Sequence, residues 1–335
     1  MDPEYAVVVA PLLAAPSPKV PPTADQIKTH FFENVTTPMQ TFHASRLPPA
    51  STYTVKNETV IVDGGEIPVR CIIPRVEDDE GHTFPVFVHI HGGCGCAGSI
   101  ETDDYALRRI SVDLQISVVN VGYRLAPEFP FPTGVNDCYA ALKSEADQTV
   151  ENAQMLKVDL SKGFLVGGHS AGGNFSAVLS HQARDDPFFA GRQITGQLLR
   201  EPITIHPDSY PDSLKDELRS IEENAANPPL TSPVIRHLLH TYGGIPSDPR
   251  MSPLLYSSHE GLPPAYVQVM GLDPLRDEGI VYEKALKAAG VKTKIDLYPG
   301  VGHGFHYNFP SIALAEMVRN DVIKGLKWLL GRDIE

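Results

Sequence analysis

Apolar positions follow two regimes along this chain. From Thr52 onward they fall into short runs separated by stretches of helical spacing. Thr52 to Val62 and Ile67 to Ile73 alternate apolar with polar, and Asp63-Gly64-Gly65 lies between them, so the pattern predicts two strands and a turn. Phe84 to Ile90 and Ile116 to Val121 are almost continuously apolar, as strands covered on both faces are. Phe164 to Val166, Ala265 to Met270 and Lys294 to Leu297 add further strands, and Ile194 to Ile205 reads as one strand or two short pieces. Helical spacing marks Val135 to Lys143, Ala171 to Ala183, Glu278 to Ala289 with Gly290 as its stop, and Ile312 to Leu330. Strands alternating with helices predict an α/β class, with a mostly parallel sheet covered on both sides.

Two stretches stand apart from this pattern. Residues 1–50 carry no strand signal. Pro16, Pro18, Pro21 and Pro22 form a connector, and Thr23 to Gln26 then spells a capping box ahead of a helix bearing Ile27, Phe31 and Phe32. Residues 207–249 are charged, proline-containing and partly helical over Ser213 to Asn224. An insertion there follows a strand and would sit above the strand ends. With residues 1–50 it is expected to cap a catalytic domain of residues 51–335; a plain surface excursion is the alternative.

Val7 to Ala15 is the one stretch with the look of a signal peptide, but Asp2 and Glu4 precede it and Pro11 interrupts it. It reads as a short amphipathic or loop segment. No window reaches transmembrane length, so a cytoplasmic protein without stable membrane insertion is expected. The net charge of −13 argues against a nucleic-acid partner. Cys71, Cys94, Cys96 and Cys138 are too sparse in 335 residues to suggest a disulfide framework, so free thiols are expected.

Gly168-His169-Ser170-Ala171-Gly172 follows the apolar run at 164–166 and precedes a helix. A Gly-x-Ser-x-Gly sequence on a strand–turn–helix is a nucleophile elbow, although the pentapeptide alone arises by chance about one time in ten in a chain this long. Serine needs a base, an orienting carboxylate and N–H donors for an oxyanion. His91-Gly92-Gly93-Cys94 follows the strand ending at Ile90 and offers unencumbered amides, to which Ala171 adds its own. His89-x-His91 would face one way on a strand, yet nothing at zinc spacing completes a metal site. His303 lies between two glycines after the last strand, with His306 as competitor. Asp273 follows Ala265 to Met270 and precedes Pro274; Asp277 is the alternative carboxylate but falls in the first turn of the next helix. The chain order Ser170, Asp273, His303 is that of α/β-hydrolases.

These motifs, together with Tyr123-Arg124-Leu125-Ala126-Pro127-Glu128 and Asp273-Pro274-Leu275-Arg276-Asp277-Glu278-Gly279, resemble the hormone-sensitive-lipase-like carboxylesterases, whose oxyanion loop reads His-Gly-Gly-Gly. The resemblance spans almost the whole chain. It implies an eight-stranded α/β-hydrolase sheet, a helical cap, no cofactor and a dimer formed through the sheet edge. It implies Ser170 as nucleophile, His303 as base, Asp273 as its partner, and the N–H groups of Gly93, Cys94 and Ala171 as the oxyanion hole. Two positions depart from the family: Cys94 replaces the third glycine, bringing an oxidisable thiol, and Gly122 stands where an acidic residue is common. Arg124 and Glu128 are expected to brace the oxyanion loop.

The expected activity is a serine carboxylesterase acting on small esters of short to medium acyl chains. Phe31, Phe32 and Phe42 from the cap would line its pocket. A metabolite-specific hydrolase, lactonase, amidase, transacylase or cyclase would use the same triad. A hormone receptor that has lost a triad member is the rival from another class, and all three members are present here.

Overall fold

The computed structural model of the protein describes residues 1–15, 21–77, 81–147 and 156–332; Pro16 and Pro18 of the connector lie outside them. Among the described residues one eight-stranded sheet is built from β1 (Tyr53–Val62), β2 (Gly65–Pro74), β3 (Val86–Ile90), β4 (Ser117–Val121), β5 (Phe164–His169), β6 (Gly196–Arg200), β7 (Ala265–Met270) and β8 (Thr293–Tyr298). The helices are α1 (Pro3–Ala14), α2 (Ala24–Phe31), α3 (Thr37–Ala44), α4 (Asp104–Leu114), α5 (Thr133–Ala146), α6 (Ala171–Asp185), α7 (Ser220–Glu223), α8 (Ser232–Tyr242), α9 (Arg276–Ala288), α10 (Phe305–Asn308) and α11 (Ala313–Leu329).

The spatial order is β1-β2-β4-β3-β5-β6-β7-β8. β1 pairs antiparallel with β2, and β2 with β4; all later pairings are parallel. The strands from β3 to β7 are buried at every position, which explains their predominantly apolar runs. Phe87, Leu165, Leu198 and Tyr266 face α4 and α11, while Val86, Val88 and Val166 join the core with α5 and α6. α11 lies flat on the sheet because Gly325 meets Tyr266, where a Cβ would come within 1.9 Å of the ring. From β3 the chain crosses to β4 on one side and later to β5 on the other. This reversal opens a crevice beyond the carboxyl ends of β3 and β5, the place where α/β sheets bind ligands.

Three sequence expectations change. Ile194 to Ile205 holds a single five-residue strand, because Glu201 turns to φ 49° and Pro202 has no N–H to continue the ladder. Val7 to Ala14 lie in helix α1, which Ala15 ends, and in which Pro3 occupies the first turn and Asp2 caps the Tyr5 N–H at 2.9 Å. α2 has its capping box, but a π-turn over Phe32–Thr36 separates it from α3. The wider turn rotates the following side chains away from the apolar face that simple helical spacing predicts.

The N-terminal arm is tied to the body at both ends. Tyr5 is buried, meets Phe305 and Phe309 edge-on at 5.8 and 6.0 Å, and donates its hydroxyl proton to Pro228 O at 2.5 Å. Lys28 pairs with Glu128 at 2.8 Å, so Glu128 holds the arm rather than the loop after β3. The insertion consists of short turns with α7 and α8, and His237 Nε2 donates to Pro22 O at 3.0 Å. Tyr5–Pro228 and Pro22–His237 thus join arm to insertion. Among the described residues no helix is long and apolar enough to cross a membrane.

Candidate active site

Ser170 occupies the joint between β5 and α6 with φ 55° and ψ −115°. A non-glycine residue held there costs on the order of 1–3 kcal/mol. The surrounding glycines permit the approach of β3: a Cβ on Gly168 or Gly172 would lie 2.0 or 1.9 Å from Ile90 O. The Ser170 N–H donates to Arg200 O at 2.8 Å, which locks the elbow to the neighbouring strand.

The loop after β3 is shaped by close contacts. Gly93 has φ 111°, and a Cβ there would come within 2.2 Å of Ala97 O. Cys94 has φ 54°, the left-handed region that glycine adopts freely and cysteine only with strain, which gives the third glycine of the motif a physical reason. Its thiol packs against the main core, and burial raises it well above the ordinary thiol range, so it stays protonated and slow to oxidise. Among the described residues no acceptor takes the N–H of Gly93, Cys94 or Ala171. Unpaired amides beside a crevice are donors held ready for a ligand oxygen.

Tyr123 supports this loop, donating to His91 O at 3.0 Å and stacking on the His91 ring at 4.2 Å. Arg124 instead pairs with Asp137 at 2.7 Å and reaches Asp63 O, so it braces α5 and the first hairpin. Gly122 has no room for the acidic residue common in the family: a Cβ would lie 2.9 Å from Pro68 O.

Asp273 is fully buried after β7. Its Oδ1 accepts from the Leu275 N–H and its Oδ2 from His303 Nδ1, both at 2.8 Å. A carboxylate only accepts, so the His303 proton sits on Nδ1 and Nε2 presents a lone pair. Burial works to lower the His303 pKa, but the carboxylates of Asp273, Glu201 and Glu278 outweigh it and raise the imidazole above its ordinary value. The His169 ring, one residue before Ser170, lies 5.1 Å from that of His303.

The competitors have other partners. Asp277 lies in the first turn of α9 and accepts from the N–H groups of Arg219 and Ser220. His306 donates from Nε2 to Glu201 at 2.8 Å; burial and then Arg200 push it down to about 3, so it is neutral. His89 faces Asn120 and Asp103, and His91 Nδ1 donates to Gly92 O, so the pair does not converge on a metal position.

The three phenylalanines are corrected. The Phe42 ring lies between the guanidinium groups of Arg46 and Arg319, at 3.8 and 4.4 Å. Phe32 is 54% exposed on the π-turn. Phe31 remains partly exposed on α2, a helix with no buried residue.

Glu201 is the residue that sequence reasoning missed. It is buried beneath His303, and its carboxylate gathers contacts from His169, Gly304 and His306. Its signal was the charged pair Arg200-Glu201 directly after an apolar run.

Residues 87–307 match the alpha/beta hydrolase fold family, and the chain belongs to it. Carboxylesterase NlhH of Mycobacterium tuberculosis is 39% identical over 258 residues, covering 75% of each chain. The versiconal hemiacetal acetate esterase of Dothistroma septosporum is 30% identical over 279 residues, 82% of this chain and 83% of its own. The solved structure of vibralactone cyclase superposes with a TM-score of 0.93 at 39% identity, over 99% of this chain and 95% of that one.

Proposed function

We propose that Ser170, Asp273 and His303 are the catalytic triad of a serine carboxylesterase, with the N–H groups of Gly93, Cys94 and Ala171 as its oxyanion hole. The Asp273–His303 hydrogen bond carries this reading, because it fixes the tautomer that leaves Nε2 free to take a proton. Ser170 Oγ attacks the ester carbonyl carbon while His303 Nε2 takes its proton. The carbonyl oxygen becomes an oxyanion held by the three amides. The C–O bond to the alcohol breaks and the alcohol leaves with the proton from His303. Water, deprotonated in turn by His303, attacks the acyl-enzyme and releases the acid. Splitting one hard substitution into two easier ones is the gain of the covalent route.

The proposed substrates are small esters of short to medium acyl chains; the relative named an acetate esterase supports the short end of that range. The arm and the insertion, tied together at Tyr5–Pro228, would cap the crevice. Four free thiols suit a reducing cytoplasm. Pairing through the β8 edge, where Leu297 is 53% exposed, is the matching dimer, which sedimentation checks.

One observation favours a second reading. The likeness to vibralactone cyclase, at a TM-score of 0.93, supports transfer of the acyl group to a hydroxyl of the substrate itself, giving a lactone in place of the acid.

A p-nitrophenyl ester series from acetate to palmitate, run beside Ser170→Ala, tests the proposal. Turnover that peaks at short or medium chains and vanishes in the variant supports it. Ser170 labelled by a fluorophosphonate without ester turnover favours the cyclase or transacylase reading. Neither turnover nor labelling overturns both.

A further inference from the structure

Glu201 has a backbone and a set of partners that nothing in the triad requires. It follows β6 at φ 49°, in a region where a glutamate is strained, and its side chain is fully buried. Oε2 accepts the Gly304 N–H at 2.5 Å, and Oε1 accepts from His306 Nε2 at 2.8 Å. His303 Nδ1 and His169 Nε2 each lie 3.5 Å from Oε2. His169 precedes the nucleophile, and the other three contacts come from the segment that carries the base. One buried anion therefore ties the two halves of the site together.

Two further facts indicate that the group is anionic. Each oxygen already accepts a hydrogen bond, as a carboxylate does. Arg200, its chain neighbour, places Nη2 at 3.3 and 3.2 Å from the two nitrogens of His306, backing that ring with positive charge.

We propose that Glu201 is a positioning residue for the base: it holds the segment from His303 to His306 against the nucleophile elbow, and its charge supports the imidazolium of His303 alongside that of Asp273. The proposal rests on the triad reading above. The groups facing His303 are Asp273, Glu201, Glu278 and His169, and those facing Glu201 are His169, His303, His306, Arg200, Asp273, Tyr5 and Tyr307. Two carboxylates on one imidazole make the base partly redundant in its support.

His169, Glu201 and His306 also bring donor atoms within 4.8 Å of one another, close enough for a divalent ion. The Arg200 guanidinium against His306 opposes a second cation there, so the trio is better explained as hydrogen bonds around an anion.

The test compares full-length wild type with Glu201→Gln, Asp273→Asn, the double variant and Ser170→Ala. Glu201→Gln is expected to fold, to lose roughly tenfold in kcat with KM little changed, and to shift the acid limb of its pH profile to lower pH. Asp273→Asn is expected to lose about a hundredfold rather than the roughly ten-thousandfold seen when one carboxylate serves alone. The double variant should fall to the Ser170→Ala level. An unmoved acid limb and unchanged kcat in a folded Glu201→Gln would overturn the proposal. So would one equivalent of tightly held divalent metal in the purified wild type. Should Glu201→Gln not fold, the downfield Nδ1 proton of His303 in Asp273→Asn decides: persistence supports Glu201 as second partner, and loss overturns it. Turnover retained by Ser170→Ala is a separate signature and sinks the triad reading itself.

Discussion

Tyr123 grips His91 in two ways at once: its hydroxyl donates to the His91 carbonyl at 3.0 Å, and its ring stacks on the imidazole at 4.2 Å with 14° between the planes. The loop that carries Gly93 and Cys94 starts from this grip. Tyr123→Phe keeps the stack and removes the hydrogen bond. It should cost about 1 kcal/mol of stability. Loss of kcat should be on the order of tenfold, below the 10²–10³ expected for deleting an oxyanion donor outright. Thermal unfolding and steady-state kinetics on a p-nitrophenyl ester measure both.

Cys94 is strained by its own Cβ at φ 54°. Cys94→Gly should leave kcat close to wild type, since the N–H remains, and raise stability by up to about 1 kcal/mol as the strain is relieved. Cys94→Val should be destabilised, because a β-branched side chain fits that backbone worst. Native Cys94 should react slowly with iodoacetamide, and fast labelling in folded protein would contradict a protonated thiol packed against the core.

The base must be neutral to accept the serine proton. Because its carboxylate neighbours raise His303 above its ordinary 6.5, activity should fall as pH drops through a midpoint above 6.5. A profile of kcat/KM against pH reports that midpoint for the free enzyme, and one below 6.5 would contradict the assignment of the base.

Glu145 on α5 is buried with Oε2 unpartnered, and burial pushes its carboxyl from 4.5 up to about 7. Between those values the unfolded chain has released a proton that the folded chain retains. Stability therefore falls as pH rises through that window, and above it remains lower by roughly 3 kcal/mol. Glu145→Gln removes the penalty. Its melting temperature should exceed that of wild type at pH 8 and match it near pH 4.5; equal curves at both pH values would contradict this.

The sheet was legible because β3 to β7 are buried on both faces and so are mostly apolar, with a few hydrogen-bonded polar residues such as His89, Asn120 and Gln268 among them. The residues of the proposed triad could be picked out because Ser170, Asp273 and His303 each lie in the loop after a strand, β5, β7 and the partly exposed β8, where only a few residues are candidates. Phe42 was misplaced because the π-turn before it changes which side of a helix later residues occupy, and no residue type signals that turn; Phe32 lies exposed on the turn itself and Phe31 on a helix that buries nothing. Glu201 was hidden for another reason. Its partners are distant in sequence: the pairing of β6 beside β5 brings His169 to it, and the segment after β8 brings Gly304 and His306.

The docking of α1 sets an order of events in synthesis. Tyr5 closes on Pro228, Phe305 and Phe309, and Asp2 donates its N–H to Gly300 O. Helix α1 thus has no resting place until the chain beyond position 309 has emerged, roughly 15–60 s later at ordinary elongation rates. During that interval Val9 and the ring of Tyr5, both buried in the finished protein, are open to solvent or to chaperones. A segment translated long before its partners waits for them, and its docking reports that the loop bearing the proposed base has been built.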